Sequence, residues 1–332
     1  MASSFASALS SGDDVAHTRI SVTWGSRLRL KPPYRGRERI NVVREHCALS
    51  APRHTTAPVT HARGDFDFAR AASLLTDAAS RAGAAIMAHF QTTTEVELKG
   101  DLSPVTRADR DSDAIILEAL KRLAPDVTVV SEEAHGATST PLGDRFFLVD
   151  PLDGTKEFIQ KRSDFTVNIA LIEDGRPRFG LVFAPARALL AVTIAEGEAV
   201  EAELKPDAAG ADLDRLERRR LCARAGNPEG LTALVSLSHL DPDTEAFLAK
   251  LKIAARSGAG SSVKFLAIAQ GEADVYPRFG PTMEWDTAAG QAVLEAAGGS
   301  VVTAAGEPLR YGKTEQGLRN PSFIAWGAQG AA

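Results

Sequence analysis

The sequence FFLVDPLDGTKEF at residues 146–158 decides how this chain is interpreted. A short apolar run ends at Asp150, and a second carboxylate, Asp153, follows three residues later. A proline restricts the backbone between them, and Gly154 and Thr155 then provide a turn with backbone N–H groups and one hydroxyl. Two carboxylates held so close together repel each other unless a cation lies between them, whereas N–H groups suit an anion. The pattern predicts metal-dependent phosphate chemistry at the end of a buried strand.

The same residues also fit an ordinary Asp-Pro-x-Asp-Gly surface turn that has no function. Two further acidic motifs favour the metal site. The β-branched run at 127–131 ends in Glu132, and Asp286 opens an Ala-rich helical pattern. Mg²⁺ prefers hard oxygen ligands in near-octahedral geometry, and carboxylates from several strand ends and helix starts can supply them.

Composition limits the classes of function. The chain has 332 residues, enough for one large domain or two smaller ones, and its net charge of −5 argues against binding nucleic-acid polymers. Cys47 and Cys222 give no disulfide framework and no metal-ligand spacing, so we expect a reducing, cytoplasmic location. No apolar run of about 18 residues is present, so we expect no transmembrane segment, and peripheral membrane association stays open.

Residues 1–64 differ in composition from the rest of the chain. They contain ten Arg and Lys residues against four Asp and Glu residues, without helical or strand periodicity. We interpret this segment as a disordered tail or a non-native start. An organelle-targeting peptide is the less favoured alternative, because the segment has no clear amphipathic face.

Regular patterns begin near residue 66 and predict helices over 68–90 and 111–123, followed by strands at 127–131, 145–150, 165–173, 179–184 and 189–195. Polar residues at 203–219 predict a loop. The second half predicts strands near 232–236, 253–256, 273–276, 300–303 and 322–325, with helices at 242–252, 260–271 and 286–297. We expect stacked α/β layers in two halves, 65–200 and 221–328, joined by a variable loop at 201–220.

Four blocks of sequence resemble the inositol monophosphatase / fructose-1,6-bisphosphatase superfamily of Mg²⁺-dependent, lithium-sensitive phosphomonoesterases. They are DLSPVTRAD at 101–109, VSEE at 130–133, LVDPLDGTKEF at 148–158, and GSSVKF at 260–265 running into ADVYPR at 273–278 and WDTAAG at 285–290. The resemblance implies a layered αβαβα sandwich of the sugar-phosphatase type, with the active site between the halves.

The resemblance also implies two or three Mg²⁺ ions. Their ligands would be Glu132, Asp150, the Leu152 carbonyl, Asp153 and Asp286. Glu132, Thr155 and Asp109 would be catalytic: Thr155 would orient the attacking water and Asp109 would accept the threonine proton. Taken without the resemblance, Asp109 fits a helix cap better than a catalytic role, and Asp286 could also be an N-cap.

Substrate choice depends on weaker signals. Lys156 and Glu157 follow the Asp-Gly-Thr, as in the CysQ-like 3'(2'),5'-bisphosphate nucleotidases, where inositol monophosphatases tend to have Thr-Asn. The residues expected to bind substrate are Glu132, Leu152, Asp153, Gly154, Thr155, His239, Ser261, Lys264, Arg278 and Asp286. Lys264 and Arg278 suit the phosphate that is not cleaved, although Lys264 also fits a solvated charge. Leu237 departs from the usual pattern around His239 and weakens that assignment.

The resemblance therefore implies hydrolysis of the 3'-phosphate of 3'-phosphoadenosine 5'-phosphate, by a monomer or a homodimer. An inositol monophosphatase, or another sugar-phosphate phosphatase with the same metals, is the alternative. A non-catalytic nucleotide or metal binder is disfavoured, because a binder does not need Thr155 opposite Asp109.

Overall fold

The computed structural model describes residues 66–92, 96–98, 104–134, 142–236 and 241–328. The helices within these ranges are α1 Phe68–Phe90, α2 Arg107–Leu123, α3 Thr155–Ile159, α4 Pro242–Leu248, α5 Val263–Ala269 and α6 Ala288–Ala296. The strands are β1 Val96–Leu98, β2 Pro104–Thr106, β3 Thr128–Ser131, β4 Arg145–Asp153, β5 Thr166–Glu173, β6 Arg176–Ala184, β7 Leu189–Ala195, β8 Glu198–Glu203, β9 Arg218–Arg220, β10 Leu231–Ser236, β11 Ile253–Ala259, β12 Val275–Arg278, β13 Ser300–Thr303 and β14 Phe323–Trp326.

These strands form two large sheets. The seven-stranded sheet has the order β3-β4-β5-β6-β7-β8-β9 and is antiparallel except for the β3–β4 pair. The five-stranded sheet has the order β11-β10-β12-β14-β13, with β10 parallel to both of its neighbours. Strands β1 and β2 form a separate antiparallel pair.

Strand β4 shows why the seven-stranded sheet is covered on both faces. Successive side chains of a strand point to opposite faces. Phe147 and Val149 pack into the core beneath α1 and α2, whereas Phe146 and Leu148 pack into the core shared with α5, α6 and the five-stranded sheet. The continuous apolar run before Asp150 is therefore the signature of a strand buried on both sides.

The helices complete a five-layer sandwich. Helices α1 and α2 cover one face of the seven-stranded sheet, α5 and α6 lie between the sheets, and α4 packs on the outer face of the five-stranded sheet. Helix α6 comes very close to β6 at Gly180, where an added Cβ would lie 2.4 Å from the Ala289 carbonyl oxygen. The layered α/β architecture and the αβαβα sandwich are confirmed.

Most predicted elements are present, with shifted ends. Helix α2 begins four residues earlier than predicted, because Thr106 caps it. Helix α4 ends at Leu248, short of the predicted 252. The prediction of a loop at 203–219 is wrong at its end, where Arg218–Arg220 pairs with β8 as an edge strand. The division into halves stays a prediction, and residues 1–64 lie outside the described residues. None of the described helices is long and apolar enough to cross a membrane.

Candidate active site

The end of β4 carries an irregularity that places its two carboxylates together. Asp150 pairs with Asn168 on β5, and Asp153 pairs with Thr166, so β4 has one more residue than β5 between these pairs. In a regular strand, residues three apart point to opposite faces, and one extra residue restores a common face. Asp153 therefore turns toward the same crevice as Asp150.

Gly154 follows β4 and is the N-cap residue of α3. Its φ of +91° lies in the left-handed region, and an added Cβ would lie 2.9 Å from the Asp164 carbonyl oxygen. Both observations require glycine at this turn. The turn places Thr155 at the first position of α3, directly above the end of the strand.

Three carboxylates from distant parts of the chain converge beside this turn. One oxygen each of Asp150, Asp153 and Asp286 lies within 4.8 Å of the others. Asp150 is buried, and the other two are partly buried. Glu132, just after β3, is not a member of this close group, but its charge acts on all three carboxylates.

The electrostatics of this group fit a bound cation. Burial raises the pKa of Asp150 and Asp286 well above the ordinary value, and the neighbouring carboxylates raise both further. Burial also raises the pKa of Asp153 to about 6, although the nearby Lys264 ammonium opposes this shift. Clustered carboxylate oxygens that disfavour one another's charge match the hard oxygen ligands that Mg²⁺ prefers.

Backbone N–H groups orient each carboxylate. Leu152 N–H donates to Asp150 Oδ1 at 3.0 Å, and Ser262 N–H donates to Asp153 Oδ2 at 2.9 Å. Ser262 Oγ also donates to the Asp286 carbonyl oxygen at 2.9 Å. The sequence analysis does not identify Ser262, although it lies in the GSSVKF block beside Ser261, which is predicted to bind substrate.

Asp109 caps α2 and also lies beside Thr155, whereas its catalytic role stays a prediction. Its Oδ2 accepts hydrogen bonds from the Thr106 N–H at 2.8 Å and the Thr106 hydroxyl at 2.7 Å, as the third residue of α2 in a capping box. Its Oδ1 lies 3.3 Å from Thr155 Oγ1, which also lies 3.3 Å from the Leu152 carbonyl oxygen. The carboxylate therefore joins the start of α2 to the start of α3.

The alternative that Asp286 is the N-cap of the following helix is wrong. Thr287 is the N-cap of α6, and Asp286 ends a 3-10 helix, Glu284–Asp286. Asp286 Oδ2 accepts the Met283 N–H at 2.8 Å. This backward hydrogen bond holds the carboxylate away from the start of α6.

A cleft with about 620 Å³ of empty space opens above the carboxylates. Its lining is Asp153, Gly154, Lys156, Glu157, Ser236, Gly260, Ser261, Lys264, Phe265, Tyr276, Arg278, Thr282, Asp286 and Thr287. The structure thus brings six of the predicted substrate-binding residues to one surface. His239 lies outside the described residues.

The two predicted phosphate ligands differ in their present contacts. Lys264 Nζ donates to the carbonyl oxygens of Ser261 at 2.7 Å and Ala259 at 3.3 Å, and burial lowers its pKa to about 8. Arg278 donates through Nη2 to the Pro281 carbonyl oxygen at 3.2 Å. Its buried Nε has no hydrogen-bond partner among the described residues, so the guanidinium has unused donor capacity.

Residues 68–328 match the profile of the inositol monophosphatase family. The chain belongs to this family. It is 42% identical over 248 residues to the 3'(2'),5'-bisphosphate nucleotidase CysQ of Escherichia coli K12, a match that covers 74% of this chain and 95% of that protein. It is 37% identical over 217 residues to CysQ of Buchnera aphidicola, covering 65% of this chain and 77% of the relative.

Solved structures agree with this assignment. The crystal structure of CysQ from Bacteroides thetaiotaomicron has a TM-score of 0.64 and 35% identity, covering 80% of this chain and 100% of that chain. The inositol monophosphatase from Anabaena sp. PCC 7120 has a TM-score of 0.58 at 24% identity, covering 79% of this chain and 90% of that chain, and supports the fold alone.

Proposed function

We propose that this protein is a Mg²⁺-dependent 3'(2'),5'-bisphosphate nucleotidase. It hydrolyses the 3'-phosphate of 3'-phosphoadenosine 5'-phosphate to give AMP and phosphate, and it also accepts 2'-phosphate or sulfated analogues, the latter giving adenylyl sulfate. The observation that carries this proposal is a single cleft lined both by carboxylates of the cluster and by the side chains of Lys264 and Arg278. The similarity to CysQ along nearly its full length supports the same substrate class.

The carboxylates would hold the metal. Its ligands would be Glu132, Asp150, the Leu152 carbonyl, Asp153 and Asp286, for two or three Mg²⁺ ions. Bound Mg²⁺ would supply a more acidic water and stabilise the charge that develops on the phosphoryl and leaving oxygens. The backbone N–H groups of Gly154 and Thr155 would donate to the phosphate that is cleaved.

The proton path would use Thr155 and Asp109. The Thr155 hydroxyl would accept a hydrogen bond from the attacking water and pass its own proton toward Asp109 Oδ1, 3.3 Å away. A threonine hydroxyl is too weak a base to act without a carboxylate behind it. The capping hydrogen bonds from Thr106 to the other Asp109 oxygen keep Oδ1 directed at Thr155.

Lys264 and Arg278 would hold the phosphate that stays on the nucleotide. Arg278 has donors available for a bidentate contact, and Ser261 can donate through its hydroxyl. Lys264 already donates to two carbonyl oxygens, so its contribution would be a positive charge more than a new hydrogen bond. A substrate with one phosphate would leave the free donors of Arg278 without a phosphate to bind.

Parallel hydrolysis of 3'-phosphoadenosine 5'-phosphate and inositol 1-phosphate with Mg²⁺ tests the proposal. We expect a clear preference for the bisphosphate nucleotide. Equal or reversed turnover would favour the inositol or sugar-phosphate alternative, and no release of phosphate from either substrate would favour a non-catalytic binder. The cytoplasmic location and the monomeric or dimeric state stay predictions from the sequence.

A further inference from the structure

The Gly260–Ser262 loop, between β11 and α5, contacts two of the clustered acidic residues. Ser262 donates through its N–H to Asp153 Oδ2 and through its hydroxyl to the Asp286 carbonyl oxygen. Ser261 has a left-handed φ of +48°, which a non-glycine residue adopts only when surrounding contacts hold it there. The position of this loop therefore affects the orientation of the Asp153 carboxylate and the position of the Asp286 backbone.

Asp164 holds the first residue of that loop. Its Oδ2 accepts the Gly260 N–H at 3.0 Å, and its Oδ1 accepts hydrogen bonds from Arg187 Nε at 3.1 Å and from Arg187 Nη2. The Asp164 side chain is only 10% exposed, so it needs this cationic partner. Its backbone carbonyl also packs against Gly154, the turn that carries Thr155.

Asp164 thus lies between two turns of the site. An added Cβ on Gly260 would lie 2.9 Å from both Cβ and the carbonyl oxygen of Asp164, and one on Gly154 would lie 2.9 Å from that same oxygen. Arg187, in the 3-10 helix between β6 and β7, anchors Asp164 to the seven-stranded sheet. The pair connects that sheet to a loop of the five-stranded sheet.

We propose that Asp164 and Arg187 are positioning residues that fix the Gly260–Ser262 loop and, through Ser262, the carboxylate cluster. This inference rests on the proposed function, because it assigns the cluster to metal binding. Neither residue contacts the cluster carboxylates through any hydrogen bond in the described part of the chain. Their effect passes through the backbone of the loop.

The molecule contains a matched pair that serves as a control. Asp274 accepts hydrogen bonds from Arg224 Nε at 2.7 Å and Nη2 at 2.8 Å, and from the Thr232 N–H at 2.7 Å. It is buried like Asp164, and each carboxylate joins one arginine to one backbone N–H. Asp274 precedes β12, at the opposite end of that strand from Arg278, and among the described residues no hydrogen bond joins its side chain to the loop or the cluster.

The experiment compares Asp164→Asn with Asp274→Asn. An amide has one acceptor oxygen where the carboxylate uses two, so each variant loses a hydrogen bond without losing volume. Binding of Mn²⁺ alone is measured by electron paramagnetic resonance, without substrate, and the melting temperature is measured beside it. We expect both variants to melt a few degrees lower, by about the same amount.

Of these two variants, only Asp164→Asn should bind Mn²⁺ more weakly, by roughly 10-fold, the low end of the range for residues that orient metal ligands indirectly. Arg187→Met should also weaken binding, and Arg187→Lys should recover part of it. If Asp164→Asn does not fold, the two Arg187 variants provide the test. Mn²⁺ affinity within about twofold of the wild type in all of them would overturn the proposal.

Failure of the proposed function and failure of the positioning role give different experimental results. Wild-type protein that binds Mn²⁺ but hydrolyses no nucleotide bisphosphate would contradict the nucleotidase assignment and leave the pair testable. Wild-type hydrolysis with unchanged Mn²⁺ affinity in the Asp164 and Arg187 variants would contradict the positioning pair alone.

Discussion

Asp274 and the carboxylate cluster are buried acids in opposite electrostatic surroundings. Burial alone would raise the pKa of Asp274, but hydrogen bonds from Arg224 and Thr232 outweigh it and lower the pKa. In the cluster, burial raises the pKa values of Asp150, Asp153 and Asp286, and neighbouring carboxylates raise them further. Contacts within the fold compensate the charge of Asp274, whereas the contacts of the cluster leave the pKa values of its carboxyl groups raised, so bound protons or added cations would stabilise it.

Glu284 and Asp286 show the same contrast between a buried acid with compensating partners and an acid among other acids. They are two residues apart in one 3-10 helix. Glu284 is fully buried and accepts N–H groups from Gly312 and Lys313, and the Lys313 ammonium lies 2.6 Å from its Oε1. Asp286 instead faces other acids. A buried carboxylate therefore marks a functional site only where the fold leaves its charge uncompensated.

The largest expected effect comes from Asp150→Asn, which removes one charge from the cluster. We expect kcat/KM to fall by at least about 10³-fold, because a metal ligand is lost. The metal-free variant should unfold at a higher temperature than the wild type, because repulsion is relieved. Steady-state kinetics and thermal melting without metal check both parts. Activity within tenfold of the wild type would mean that the cluster does not bind the catalytic ion.

Thr155→Val tests the proton path with the cluster intact. We expect kcat to fall by about 10²- to 10³-fold, in the range of lost general acid–base catalysis, while Mn²⁺ affinity stays unchanged. Thr155→Ser is the matched control, because it keeps the hydroxyl and should keep most of the activity. Equal activities of the Val and Ser variants would remove Thr155 from the mechanism.

Arg278→Gln tests the proposed contact with the phosphate that is not cleaved. KM for 3'-phosphoadenosine 5'-phosphate should rise by roughly 10-fold or more, since a charge-assisted contact to phosphate is lost. Hydrolysis of 3'-AMP, which has no second phosphate, should change little. Arg256→Gln on β11, where Arg256 pairs with Glu245 at the surface, is the control. A parallel loss with both substrates would show that Arg278 does not select the second phosphate.

The smallest expected effect is on the pH dependence of the free energy of unfolding of the metal-free protein. The pKa of Asp153 rises from 3.8 when unfolded to about 6 when folded, so its contribution to stability is complete below about pH 4 and is lost as pH rises through 6. Asp153→Asn should therefore gain stability relative to the wild type between pH 4 and 7, by at most about 3 kcal/mol.

Urea unfolding at several pH values measures this difference, and saturating Mg²⁺ should reverse it by stabilising the wild type. A difference that does not depend on pH would show that Asp153 is not held in an uncompensated cluster.

The sequence predicts the parts of this molecule that depend on local chemistry. The run before Asp150 and the helix at 68–90 follow directly from periodicity, and the acids at strand ends follow from side-chain type. Strand β9 was missed, because a charged edge strand resembles a loop. The roles of Ser262 and Asp164 depend on contacts between residues about 100 positions apart, which no local pattern encodes.

The most direct test of metal binding by the cluster is a Mn²⁺ titration near pH 7.5, monitored by electron paramagnetic resonance. It compares the wild type with the double variant Asp150→Asn/Asp153→Asn. We expect two or more bound ions per wild-type chain and a clear loss of bound ions in the folded double variant. Identical binding by the two proteins, or no binding by the wild type, would contradict metal binding by these carboxylates.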